Sequence, residues 1–159
     1  MEQRYIKNID EIFTKNLQNL LLTKNIGVIG CGGQGGYILE FLARLGIKSI
    51  SFWDGDVYDI TNLNRQIGCT EKTIGLNKAL ILKDRIQQIN STIQLKCFPW
   101  YFGDKEIDID EINQLDIIFL AADCYYNITK LRKLIRPILL KGIPLIDCPA
   151  NLLGGYVTI

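Results

Sequence analysis

At 159 residues and 48% apolar side chains, the chain has the length and composition of one globular domain able to bury a core. Its 18 Lys and Arg nearly cancel 17 Asp and Glu, so no basic footprint marks it for nucleic acid. It has no histidine, which excludes Ser-His and Cys-His nucleophile schemes, and its five cysteines are scattered, odd in number and contain no CxxC, so neither a structural zinc site nor a disulfide framework is expected. No apolar run approaches the ~18 residues of a membrane span, and the first residues lack the apolar core of an export signal. The expected setting is a reducing cytoplasm.

Residues 1–25 read as an N-terminal helical segment. The pattern from Arg4 to Asn25 is amphipathic, with Thr14 as an N-cap and Leu17, Leu20 and Leu21 on one face. A second unit, residues 26–159, opens on the stretch that organises the chain, IGVIGCGGQGG at Ile26–Gly36. A short apolar strand runs into glycines at positions 30, 32, 33 and 35, and an apolar-periodic helix follows to Leu45, stopped by Gly46. Glycines at such a turn let a phosphate approach the backbone, and the N–H groups opening the helix favour negative charge.

The second strand is expected over Ile47–Trp53 and ends in Asp54, 19 residues after Gly35, where dinucleotide-type sites place an acid for ribose hydroxyls. A polar insertion, Gly55–Gln66, carries Asp56, Asn62, Asn64, Arg65 and Gln66. The next helix is expected to begin near Lys72 or Leu76, with Lys78 near its start and Ala79, Leu82, Ile86 and Ile89 on its apolar face. Arg65 offers a planar fork and Lys78 a point charge, which together suit a chain of phosphates. Further strands are expected over Ile93–Phe98, Leu115–Ala122, Ile143–Asp147 and Gly155–Ile159. A helix is expected over Ile128–Lys141. Trp100–Gln114 says little, beyond a loop with one short helix. Asp123 follows the most apolar strand at the carboxyl end of the sheet, as a magnesium ligand beside bound phosphates. This order predicts a Rossmann-like α/β fold: a doubly wound, mainly parallel sheet with helices on both faces, lacking the C-terminal part of the sheet.

These residues resemble the ThiF/MoeB/HesA family, the bacterial relatives of ubiquitin-activating enzymes. The resemblance is carried by RYIKNI at Arg4–Ile9, the GCGGQG turn, DGDVYDITNLNRQ at Asp54–Gln66, IGLNKA at Ile74–Ala79, LAAD ending at Asp123 and the terminal GGYVTI. It implies an adenylyltransferase: ATP- and magnesium-dependent adenylation of the C-terminal Gly-Gly carboxylate of a ubiquitin-like sulfur-carrier protein, with release of pyrophosphate. Gly30, Gly32, Gly33 and Gly35 would lie under the phosphates, and Asp54 would hold the ribose. Asn62, Arg65 and Lys78 would contact the triphosphate side, and Asp123 would organise magnesium. Asp56 and Gln66 match family positions without an assigned role. Arg65, Lys78 and Asp123 would therefore serve the reaction, with Asp123 the one metal ligand.

The resemblance also implies a homodimer, in which an arginine at the position of Lys7 usually reaches the partner's site. Other departures are Cys124 in place of a frequent asparagine, and Ile128 at an arginine position with Arg132 downstream. The chain stops before the family's crossover loop, acceptor cysteine and paired zinc cysteines, which makes activity of these residues alone an open expectation. Three other readings stand beside this one: a non-catalytic family member that binds nucleotide or carrier, an NAD-dependent oxidoreductase, and a dehydratase acting on a tRNA-bound carboxylate.

Overall fold

The computed structural model describes residues 3–11, 14–122, 136, 138–147, 150–151 and 154–155. Five strands form one sheet: β1 (Asn25–Ile29), β2 (Ser49–Trp53), β3 (Gln94–Phe98), β4 (Ile117–Leu120) and β5 (Leu145–Asp147). Their order is β3-β2-β1-β4-β5, and every pairing is parallel. That is the doubly wound arrangement, in which the chain reverses direction between β1 and β4 and opens a crevice at their carboxyl ends. Two-residue strands β6 (Ala150–Asn151) and β7 (Gly154–Gly155) pair antiparallel in a separate ladder. The expected sixth strand is thus seen only at its first residue, since residues 156–159 lie outside the described ones.

β1 is buried on both faces, as a central parallel strand must be. Ile26 and Val28 face helices α3 (Gly35–Leu45) and α4 (Lys78–Ile89), sharing a core with Leu39, Leu42, Leu82 and Ile86. Ile29 faces the other way, into a second core built around Trp53, Phe98, Phe102, Ile112 and Ile138. There the Trp53 ring stacks on Phe98 at 4.7 Å and meets the edge of Phe102. Helix α5 (Ile107–Ile112) closes this side, and its Glu111 accepts from Ser51 Oγ on β2 and from Lys96 Nζ on β3.

The N-terminal segment is two short helices, α1 (Ile6–Glu11) and α2 (Lys15–Leu21), after one 3-10 turn at Gln3–Tyr5. Thr14 caps α2 through Leu17 N, as expected. The expected packing face is displaced, however. Leu21 packs against the core as expected, but Leu17 and Leu20 are exposed, while Gln18 is fully buried and donates to Leu45 O at 2.8 Å. Tyr5 explains the shift: its buried ring rests on Gly46, and its hydroxyl accepts from Asn90 Nδ2 at 3.1 Å. The segment docks on the ends of α3 and α4 through these polar contacts, which leaves Lys7 exposed on α1.

Candidate nucleotide site

The glycine turn leaves β1 at Gly30, whose φ of +95° suits glycine alone, and a Cβ there would lie 2.8 Å from the Ala121 carbonyl. Gly35, at the start of α3, packs so closely on Gly30 that any side chain would overlap the Gly30 carbonyl oxygen. Between them, the N–H groups of Gly32, Gly33 and Gln34 find no acceptor among the described residues. Gln34, the residue before α3, makes no side-chain cap. Unfilled donors at a helix start form a cradle for an anion.

Asp54 follows β2 and is buried beside this turn. Its Oδ2 accepts from Cys31 N at 2.7 Å and its Oδ1 from Asp56 N at 2.8 Å. Burial pushes its carboxyl up, against the two backbone N–H groups and the Lys78 charge, which pull it down. Each oxygen keeps acceptor capacity beyond its single bond, so ribose hydroxyls remain within its chemistry. The Cys31 thiol, fully buried, is raised well above its ordinary value by burial and by the Asp54 charge, which makes it a poor nucleophile.

Gly55–Gln66 folds back over the glycine turn. Arg65 Cγ and Cδ lie 3.7 Å from where a Cβ of Gly33 would be, and Gln66 Nε2 lies 3.7 Å from that of Gly32. The Arg65 guanidinium is exposed and donates through Nη1 to Thr61 O and Asn64 Oδ1. Gln66 is 7% exposed, and its Oε1 has no hydrogen-bond partner among the described residues. An unsatisfied buried acceptor costs about 1–3 kcal/mol, and the group that would satisfy this one is a donor such as a hydroxyl, not a phosphate oxygen. Asn62 is buried and accepts from Asp59 N at 3.0 Å, in a capping box that holds a 3-10 turn at Ile60–Asn62. Its carbonyl oxygen thus shapes the loop that presents Arg65.

Helix α4 begins at Lys78, later than the sequence pattern suggests. Gly75 has a φ of +82°, which interrupts any earlier start, and Asn77 then caps Leu80 N while its amide donates to Asp54 O and Asp56 O. A lysine in a first helical turn opposes the helix dipole. Here Asp56 answers it: Lys78 is buried, with Nζ 3.1 Å from Asp56 Oδ2. Tyr101, from the loop after β3, donates its hydroxyl to Asp56 Oδ1, and the Asp56 carboxylate holds the phenol up at about 12.

The structure therefore gathers Gly30, Gly32, Gly33, Gly35, Asp54, Asp56, Asn62, Arg65, Gln66 and Lys78 at one end of the sheet. Asp123 and the departures at Cys124, Ile128 and Arg132 lie outside the described residues. Among the described residues no group of three or more His, Cys, Asp or Glu could hold a metal ion, and no helix is long and apolar enough to cross a membrane. Tyr101 and Asp108 were not singled out in the sequence. Their signal was the aromatic run Trp100–Phe102 at the carboxyl end of a strand, the edge at which open α/β sheets take ligands.

Fold and turn define a doubly wound, Rossmann-like α/β domain. More specifically, the chain belongs to the ThiF family, whose model matches residues 4–159. Adenylyltransferase and sulfurtransferase MOCS3 of Danio rerio is 35% identical over 133 residues, 83% of this chain and 28% of its own length. The E. coli tRNA N6-threonylcarbamoyladenosine dehydratase TcdA, crystallised with ATP, superposes with a TM-score of 0.78 at 28% identity, covering 91% of this chain and 58% of its own. E. coli MccB with ATP gives a TM-score of 0.79 at 25% identity, covering 94% and 46%. The chain thus spans about a quarter of that curated relative's length and roughly half of each crystallised neighbour's.

Proposed function

We propose that this chain is the ATP-binding part of an adenylating enzyme, whose substrate is a carboxylate at the Gly-Gly end of a ubiquitin-like sulfur carrier. The observation that carries the reading is the juxtaposition of the unfilled N–H cradle at Gly32–Gln34 with Arg65 over Gly33. That set fits a triphosphate: N–H donors beneath it and a cation above it. Relatives and neighbours named as adenylyltransferases, or crystallised with ATP, support the same reading.

In the reaction, a carboxylate oxygen forms a bond to the α-phosphorus as the bond from that phosphorus to the β-phosphate oxygen breaks, and pyrophosphate leaves. An ionised carboxylate needs no base, which accords with a chain lacking histidine. The work left to the protein is alignment and stabilisation of charge. The cradle would hold the phosphates, Asp54 the ribose, and Arg65 and Lys78 the charge growing on the departing pyrophosphate. Asp123 is proposed as the residue that brings magnesium to the outer phosphates, and no step here depends on it.

Arg65→Ala and Lys78→Ala should each weaken ATP about tenfold or more while moving AMP little, because charge-assisted bonds to the outer phosphates contribute roughly 1.5–3 kcal/mol. Calorimetric titration with the two nucleotides measures this. Equal losses for both would remove Arg65 and Lys78 from the outer phosphates. The similarity to TcdA supports a second acceptor, a carboxylate carried on tRNA, which a side-by-side assay of tRNA and carrier substrates separates.

A further inference from the structure

Lys78 enters the site from the first turn of α4 with its ammonium on Asp56 Oδ2. Asp56 sits on a loop with its side chain 47% exposed. The other oxygen, Oδ1, takes the Tyr101 hydroxyl, so donors from two separate elements converge on this carboxylate and restrain its plane.

Tyr101 is itself held. Its ring lies over Gly55, where a Cβ would come within 3.0 Å of ring atoms Cδ2 and Cε2. The loop that carries it is tied to Asp108, which is fully buried and accepts from Trp100 Nε1 at 3.0 Å, Gly103 N at 2.9 Å and Lys105 N at 3.3 Å. Trp53 Nε1 on β2 adds a fourth donor at 2.8 Å. A continuous set of contacts therefore runs from a buried carboxylate in the sheet's second core, through the loop, to the ammonium beside the glycine turn.

We infer that Tyr101 is a positioning residue of the nucleotide site: by fixing the Asp56 carboxylate, it sets where Lys78 presents its charge to the outer phosphates of ATP. The inference rests on the reading of Lys78 given above and gives Asp56 its part in that reading. It also gives a function to the Trp100–Asp104 loop, which the sequence pattern leaves silent.

Tyr101→Phe keeps the ring on Gly55 and removes only the hydroxyl. Calorimetry with ATP and with AMP on the wild-type chain, Tyr101→Phe, Lys78→Ala and the double variant forms a closed cycle. Tyr101→Phe should weaken ATP about three- to tenfold, leave AMP unchanged and add nothing once Lys78 is alanine. Asp56→Asn, which keeps the shape and removes the charge, should show the same ATP-selective loss. A Tyr101→Phe loss shared equally by AMP, or persisting in full in the Lys78→Ala background, makes Tyr101 merely structural and overturns the inference. An ATP-selective Lys78→Ala loss without one in Tyr101→Phe removes the inference and leaves the clamp standing. No ATP-selective loss in Lys78→Ala removes both.

Discussion

Asp116 shows how a single side chain ties two central strands together at the end of the sheet opposite the site. It stands just before β4 and accepts from Asn25 N of β1 at 2.8 Å, with Lys24 Nζ at 2.8 Å on its other oxygen. The Asn25 N–H foremost, and Lys24 with it, hold its carboxyl below the usual range. A carboxylate whose folded pKa is depressed stabilises the fold above its unfolded pKa of about 3.9, and that contribution is lost as pH falls through the folded value. Both partners are about one-third exposed, so screening keeps the effect small. Asp116→Asn should lower stability at pH 7 by no more than about 1 kcal/mol, and the gap to wild type should close as pH falls below the ordinary carboxylate value of about 3.9. Urea unfolding across that range measures it, and a gap independent of pH would contradict the assignment. At this scale the sequence was legible wherever the backbone makes the demand. Gly30 needs its positive φ, Gly46 stops α3 with a φ of +80°, and Asp54 stands directly after β2, at the strand end where the sequence put an acid. It was silent where a residue's meaning comes from a distant contact. Gln18 is buried because Leu45 offers a carbonyl 27 residues away, and no local pattern announces that.

Helix α5 and the loop before it form the element least visible in the sequence and the one that braces the site's far wall. Asp108 collects N–H donors alone from Trp53, Trp100, Gly103 and Lys105, and so acts as the acceptor around which the loop is wrapped. An amide in its place retains one oxygen but turns an N–H2 towards a neighbourhood of donors, leaving some unsatisfied. Asp108→Asn should therefore cost about 2–4 kcal/mol, well beyond a surface substitution. Chemical denaturation reads this directly, and a change under about 0.5 kcal/mol would mean the loop is held by its aromatic packing instead. Helix α4 teaches the complementary lesson. Its apolar face, Ala79, Leu82 and Ile86, follows the helical period, but its start is set by the Gly75 turn and by Asn77 clipping Asp54 and Asp56. Periodicity finds the body of a helix, and caps formed with another segment decide its end.

Over the whole molecule, the parallel order β3-β2-β1-β4-β5 puts the glycine turn, the strand-end acid and the start of α4 on one edge. That order was legible because apolar strands alternate with helical periods, and right-handed crossovers leave few ways to connect them. An apolar groove of about 730 Å³ between α2, α3 and β4, lined by Leu20, Tyr37, Phe41, Ile117 and Phe119, was not expected. It arises because α3 and α4 crowd over the β1–β3 side of one face. The site at the opposite edge makes the central claim: that phosphates rest on Gly32–Gln34, beneath Arg65 and beside Lys78, so that a carboxylate can displace pyrophosphate. Isotope exchange between labelled pyrophosphate and ATP tests this most directly, run on the full protein carrying this chain with magnesium and a panel of Gly-Gly-ended carriers. Label should enter ATP in a carrier-dependent manner and fail to do so with Lys78→Ala. No exchange with any carrier, or exchange undiminished in Lys78→Ala, would contradict the account.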